Sequence, residues 1–284
     1  MNLIYCSHIR AILFSSTLSL LVNFTAHADE ASARALMSNP NNPLVALFSA
    51  KGAIYIELHR TQAPKNIARL IELIEGKHRF PDSDIQSRYY DQTQFYESIP
   101  NSRLRTGAAA FNRFGLIPSA LEEEIDSTSL GLEQRPLLND AGEVDSHLAI
   151  DSREAFDETI LAPLYASLGI ENASQAAANA PAVMEQLRAM SVADALENLG
   201  HRFTQGLGTP MLLRGDVALS SSPAGVASTE LIILLEDSPW LDGQVTAIGS
   251  IVEGLNIADA ISETEVAPDL NINQATAIYS LRVL

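Results

Sequence analysis

Phe95-Tyr96-Glu97-Ser98-Ile99-Pro100, followed after Asn101-Ser102 by Arg103-Leu104-Arg105-Thr106-Gly107, reads as two short apolar pieces around a turn. Short runs of this kind, bounded by turn residues, are expected to pair as strands. Upstream, Leu44–Phe48 and Ala53–Leu58 flank Ala50-Lys51-Gly52, and Ile54, Ile56 and Leu58 alternate with Tyr55 and Glu57. That period of two predicts a hairpin with one buried face. Ala63-Pro64 then opens a helix, since proline at the first helical position loses no hydrogen bond. Ile67, Leu70, Ile71 and Ile74 fall on one helical face, and Gly76 is a natural stop.

Downstream the pattern changes. Gly115–Asp126 ends in the acidic run Glu122-Glu123-Glu124-Ile125-Asp126, and beyond it the spacing is helical. Arg153–Ser167 predicts a helix stopped by Gly169, and Ala173–Met190 is rich in alanine. Ser191–Leu199 has a serine cap, an apolar face of Val192, Ala195, Leu196 and Leu199, and Gly200 at its end. A connection of this length is too long for a bare loop, so an inserted helical subdomain is expected. Strand character returns at Arg214-Gly215-Asp216-Val217-Ala218-Leu219.

The ordered series of motifs resembles the cyclophilins, the barrel-shaped peptidyl-prolyl cis-trans isomerases. That family writes Phe-His-Arg-Val-Ile-Pro, then Phe-Met-Val-Gln-Gly-Gly-Asp, where this chain has Phe95–Pro100 and Ser102–Ala108. Ser228-Thr229-Glu230-Leu231-Ile232 stands where the family has Ser-Gln-Phe-Phe-Ile. Trp240-Leu241-Asp242-Gly243 repeats the family's turn, and Thr246–Gly254 answers its Val-Val-Phe-Gly-x-Val-x-x-Gly. Ile257–Ile261 corresponds to a capping helix, and Ala275–Val283 to the last strand. The resemblance implies a mainly β fold: a closed antiparallel cyclophilin-like barrel capped by two helices and interrupted by a helical insertion. The expected segments are 1–28 as signal peptide, 29–42 as linker, 43–113 and 214–284 as the two parts of the barrel, and 114–213 as the acidic insertion.

The signal peptide rests on Arg10, the apolar run Ala11–Val22 and the small residues of Ala26-His27-Ala28, with cleavage expected before Asp29. The single cysteine, Cys6, lies before that run, so the mature chain is expected to hold no disulfide although it is exported. A periplasmic or secreted bacterial protein without a membrane span is the resulting expectation. The formal charge of −17 argues against nucleic acid, whose phosphates it would repel. That charge is uneven: Asp29–Arg113 carries 9 acids and 11 bases, Phe114–Leu213 16 acids and 4 bases, and Arg214–Leu284 10 acids and 2 bases. His59, His78, His147 and His201 are not at metal-ligand spacing, and no phosphate-binding or nucleophile motif occurs, so neither metal nor cofactor is expected.

Amide rotation is slow because resonance must be broken, at a barrier of about 18–20 kcal/mol. In the resembled family an arginine donates to the prolyl nitrogen when resonance is lost, and a small apolar pocket holds the proline ring. Carried over, that arginine position is Glu97, the histidine before it is Tyr96, and the backbone-binding glutamine is Arg105. The pocket positions become Ser102, Arg103, Leu231 and Val245, the second glutamine becomes Thr229, and Trp240 is retained at the rim. Losing one fixed donor costs about 100- to 1000-fold, so weak or lost isomerase activity on X-Pro segments is expected. Arg103 is the candidate substitute donor. The simpler reading makes Arg103 and Arg105 a salt-bridged strand face, Glu97 and Glu230 exposed carboxylates bridged to them, and Leu231, Val245 and Ile248 core. Proline-containing or unfolded polypeptides are the expected partners. A non-catalytic chaperone or adaptor, binding through the insertion and the altered barrel face, is the alternative.

Overall fold

The computed structural model describes residues 29–284 apart from 149, 151, 223, 224, 268 and 270. The signal peptide expected over 1–28 lies outside the described residues. Helix α1 (Glu30–Leu36) is capped by Asp29 and leads into β1 (Leu44–Ser49) and β2 (Gly52–Leu58), paired antiparallel as a hairpin. Helix α2 (Pro64–Glu75) follows and ends at Gly76 in the left-handed region. Then come β3 (Thr93–Gln94), β4 (Glu97–Ile99), β5 (Arg103–Thr106) and β6 (Leu121–Glu122). The helices of the middle segment are α3 (Arg153–Phe156), α4 (Ala162–Ser167), α5 (Ala173–Ala178), α6 (Ala180–Ala189) and α7 (Val192–Asn198). β7 (Asp216–Ser222), β8 (Val226–Leu234), β9 (Val245–Glu253), α8 (Leu255–Ser262) and β10 (Ala277–Val283) complete the chain.

One antiparallel sheet runs β3-β10-β1-β2-β9-β7-β8-β5-β4, with β6 beside β8. Its interior is filled by Leu47, Ile54, Ile56, Phe95, Leu104, Leu219, Leu231, Ile233 and Ile248. Ile67, Leu70, Leu73 and Ile74 of α2 and Ala258 and Ile261 of α8 complete that core. The closed barrel expected from sequence is corrected here: the sheet is curled but open. Its hydrogen-bonded path ends at β3 on one side and β4 on the other. Those ends are joined by the chain itself through Phe95 and Tyr96, not by a ladder. Both are short, so each edge exposes little unpaired backbone.

The single buried face expected for β2 is also corrected. Tyr55 and Glu57 are buried along with Ile54, Ile56 and Leu58. Ala33 of α1 packs with Leu44, Ala46 and Tyr55 on the outer side of the sheet. Glu57 accepts from the Ser38 N–H at 2.7 Å, the Ser38 hydroxyl at 2.9 Å, the Asn39 N–H at 2.9 Å and the Asn42 amide at 2.7 Å. Residues 29–42 therefore cover the sheet instead of trailing from it.

Apart from the exposed Glu122, the acidic run is buried as well. Helix α2 has no cap from Ala63, and Glu124 supplies one from across the chain. Its carboxylate accepts from the N–H groups of Lys65 at 3.2 Å and Asn66 at 2.8 Å. A carboxylate at a helix start satisfies donors that have no intrahelical partner. Asp126 accepts from the N–H groups of Gly206, Leu207 and Gly208 at 2.8–3.2 Å, and from Thr128 and Ser129. In the middle segment, Ser191 and Asp194 form a reciprocal capping box at the start of α7. Leu137, Ile160, Leu164, Val183 and Leu187 make a separate apolar cluster there. Pro181 breaks the alanine-rich stretch into α5 and α6.

Candidate functional site

The register of β4, β5 and β8 decides which side chains share a surface. Glu97 pairs with Arg105, Ile99 with Arg103, and Arg105 with Ile232. Because side chains alternate along a strand, Glu97, Arg103, Arg105, Glu230 and Ile232 lie on the outer face, while Leu104, Leu231 and Ile233 point into the core. A groove of about 500 Å³ lies on that outer face, lined by Arg103, Arg105, Ile232, Trp240, Gln244 and Val245. Ser220 and Ser221 of β7 and Leu241 also line it, as do Leu199 and His201 from the end of the middle segment. Leu132 and Leu196 sit so close to Gly243 that a Cβ there would meet them at 2.6 and 2.8 Å. The ring of His147 approaches the Asp242 carbonyl at 2.5 Å, so Nε2 carries the proton that this oxygen accepts. Helical segment and Trp240 turn are thereby fastened together beside the groove.

An ion network closes one end. Arg103 Nε donates to Glu97 at 2.7 Å, Arg105 donates to the other Glu97 oxygen at 3.3 Å, and Arg105 also donates to Glu230. Two cations face two carboxylates, so the cluster is balanced. The expectation of exposed carboxylates is corrected: the Glu97 and Glu230 side chains are only 11% and 14% exposed. Their pairing with the arginines is as the sequence led us to expect. The ring of Tyr96 stacks on Phe111 at 4.5 Å, and burial raises its hydroxyl pKa despite the opposing pull of Arg105.

Of the residues singled out from sequence, Arg103, Arg105, Trp240 and Val245 line the groove, with Glu97 bonded at its end. Leu231 does not; it is core, and Ile232 occupies the groove face in its place. Thr229 is likewise internal. Its hydroxyl donates to the Gly107 carbonyl at 2.9 Å and accepts from the Tyr89 hydroxyl at 3.0 Å, while Tyr90 donates to its carbonyl at 2.7 Å. Ser102 is a turn residue whose carbonyl accepts from Leu235 N–H at 2.8 Å. Gly107 holds a positive φ of 81°, and a Cβ there would stand 2.5 Å from the Tyr90 ring. His201, Leu199 and the two serines were missed. No local pattern marks them, since only tertiary packing brings them to β5. Among the described residues no cluster of three or more potential metal ligands occurs, and no helix is long and apolar enough to cross a membrane.

A groove with apolar flanks and a few placed donors can hold an extended polypeptide. Promoting isomerisation asks more: a donor free to meet the prolyl nitrogen in the twisted state. Arg105 is engaged by two carboxylates and Arg103 by one. Arg103 retains terminal N–H groups with no protein partner among the described residues.

No curated protein matches the chain. Among solved structures, it is 17% identical to a cyclophilin, AquaCyp293, from Hirschia baltica, covering 86% of this chain and 74% of that one at a TM-score of 0.44. It is 12% identical to a cyclophilin-type peptidyl-prolyl cis-trans isomerase of Cryptosporidium parvum, covering 86% and 98% at a TM-score of 0.46. A structure of the latter in the presence of the dipeptide Ala-Pro gives 11%, 85%, 98% and 0.45. The family model of cyclophilin-type peptidyl-prolyl cis-trans isomerases matches residues 45–283, so the chain belongs to that family.

Proposed function

We propose that this protein binds X-Pro segments of exported polypeptides in the groove beside Trp240 and isomerises them weakly or not at all. The observation that carries the reading is the Glu97–Arg103–Arg105–Glu230 network: a carboxylate stands at the family's arginine position, and it engages the arginines that could replace it. The export part of the reading rests on the leader pattern of residues 1–28. The segment division used above, with 114–213 as an insertion between two parts of one sheet, belongs to the same proposal. The test is the catalysed isomerisation of a short Ala-Pro peptide by the mature chain. We expect kcat/KM below about 10⁴ M⁻¹ s⁻¹, and any residual rate to vanish in Arg103→Met. A value above about 10⁶ M⁻¹ s⁻¹, in the range of efficient enzymes, would overturn the reading.

A second reading, as a non-catalytic chaperone or adaptor, is favoured by one observation in the middle segment. A cleft of about 500 Å³ between α3–α4 and α5–α6 is lined by Phe156, Leu161, Tyr165, Val183, Met184 and Leu187. It predicts that Met184→Glu weakens the holding of an unfolded client and leaves peptide binding at the Trp240 groove unchanged.

A further inference from the structure

His201 comes from the middle segment, not from the sheet, yet it lines the same groove as Arg103 and Arg105. Its position is fixed from behind. Nδ1 lies 3.2 and 3.3 Å from the two oxygens of Glu123, whose side chain is 0% exposed and which also accepts from the Arg202 N–H at 2.5 Å. A carboxylate only accepts, so the ring proton sits on Nδ1, and the neutral ring keeps its lone pair on Nε2. Among the described residues Nε2 has no protein partner. In the same groove Arg103 and Arg105 present only donors, and among the described residues the buried Ser221 hydroxyl and Arg105 Nε have no partner. Buried polar atoms of this kind are satisfied in native proteins by water or by a ligand. An extended peptide offers both carbonyls and N–H groups along each edge, so a groove that holds donors and an acceptor can pair with it.

We infer that His201, held by Glu123, is a specificity-determining residue of the groove, accepting a hydrogen bond from an N–H of the bound polypeptide through Nε2. The inference rests on the proposed reading of the groove as a polypeptide site. It has a consequence that packing alone would not produce. Protonation turns Nε2 from acceptor into donor, so this acceptor is lost when the ring is protonated. The charged groups around the ring are Glu123 bonded to it, Arg202 next in the chain, Arg103 and Arg105 lining the same groove, and Glu97 and Glu230 paired to those arginines. Of these residue types, histidine is the one whose charge ordinarily changes between about pH 5 and 8.

The chain has one tryptophan, Trp240, which is 37% exposed and lines the groove, so its emission reports occupancy. The experiment titrates the mature chain with a blocked Ala-Ala-Pro-Ala peptide at a series of pH values. In the unmodified chain Kd should rise about 3- to 10-fold from pH 7.5 to 5.5, the worth of one hydrogen bond lost. His201→Gln, which can still donate to Glu123 and accept from the ligand, should keep the neutral-pH affinity within about threefold and lose the pH dependence. His201→Phe should bind weakly at every pH. A flat profile in the unmodified chain, or the same profile in His201→Gln, overturns the assignment. No emission change with peptide at pH 7.5 overturns the groove reading itself, which separates the two failures.

Discussion

Glu97 is a shielded carboxylate on β4, and its surroundings explain how the strand tolerates it. Two guanidinium groups meet it, and Arg105 is further balanced by Glu230. Breaking such a pair leaves a shielded charge without its partner, which costs more than the pair itself contributes. Glu97→Ala should therefore lower stability by about 2–3 kcal/mol, read from the urea midpoint at constant m-value. Combining Glu97→Gln with Arg103→Met should show a coupling of about 1–3 kcal/mol in a double-mutant cycle. Additive effects would mean that the contact does not persist in solution. Gly107 sets a second constraint at this scale. Its positive φ and the Tyr90 ring behind it leave no room for a methyl group. Gly107→Ala should cost more than about 2 kcal/mol and disturb the Thr229 hydroxyl that bonds its carbonyl.

Carboxylates recur as fasteners between elements. Burial raises the carboxyl pKa of Glu57 and of Asp126, but the hydrogen bonds each receives outweigh it, and both lie below their ordinary values. A lowered carboxyl contributes stability that is present above its unfolded pKa, near 4, and is lost as pH falls through the folded value. Asp216 and Asp242, raised by burial, act in the opposite sense. Acid unfolding should thus become less steep in Glu57→Gln and in Asp126→Asn, at the price of lower stability at pH 7. Glu124→Ala should remove about 1–2 kcal/mol through the loss of the α2 cap, with faster amide exchange at Lys65 and Asn66. These roles were illegible in the sequence. A run of acids after a loop looks solvated, and only distant parts of the chain, returning at Lys65–Asn66 and Gly206–Gly208, reveal what the oxygens meet. The helices themselves were legible, because Ile67, Leu70 and Ile74 or Ser191 and Asp194 are neighbours within a few residues.

At the scale of the whole molecule, local pattern and the family resemblance gave most of the strands in chain order but not their facing. Leu231 and Ile232 are both apolar, and the choice between them depends on the ladder to Arg105, a contact between distant parts of the chain. For the same reason Leu199 and His201 could not be placed beside Trp240 from sequence. That junction is tested by Gly243→Ala, whose methyl group would press on Leu132 and Leu196. We expect α7 and its neighbours to exchange amides faster while β7, β8 and β9 keep their protection, together with a shift in Trp240 emission. The curled sheet carries a mechanical consequence of its own. Its two edge strands are consecutive in the chain, anchored by the Phe95 N–H on Thr276 at 3.0 Å and the Ser98 N–H on Val266 at 2.8 Å. Prying the rim apart therefore loads covalent bonds across Phe95-Tyr96 before it tears any ladder, as a buckle loads a belt. A single proteolytic nick at that buckle would leave the rim held by packing and those contacts alone, whereas a nick between Lys77 and Arg88 would leave it fastened.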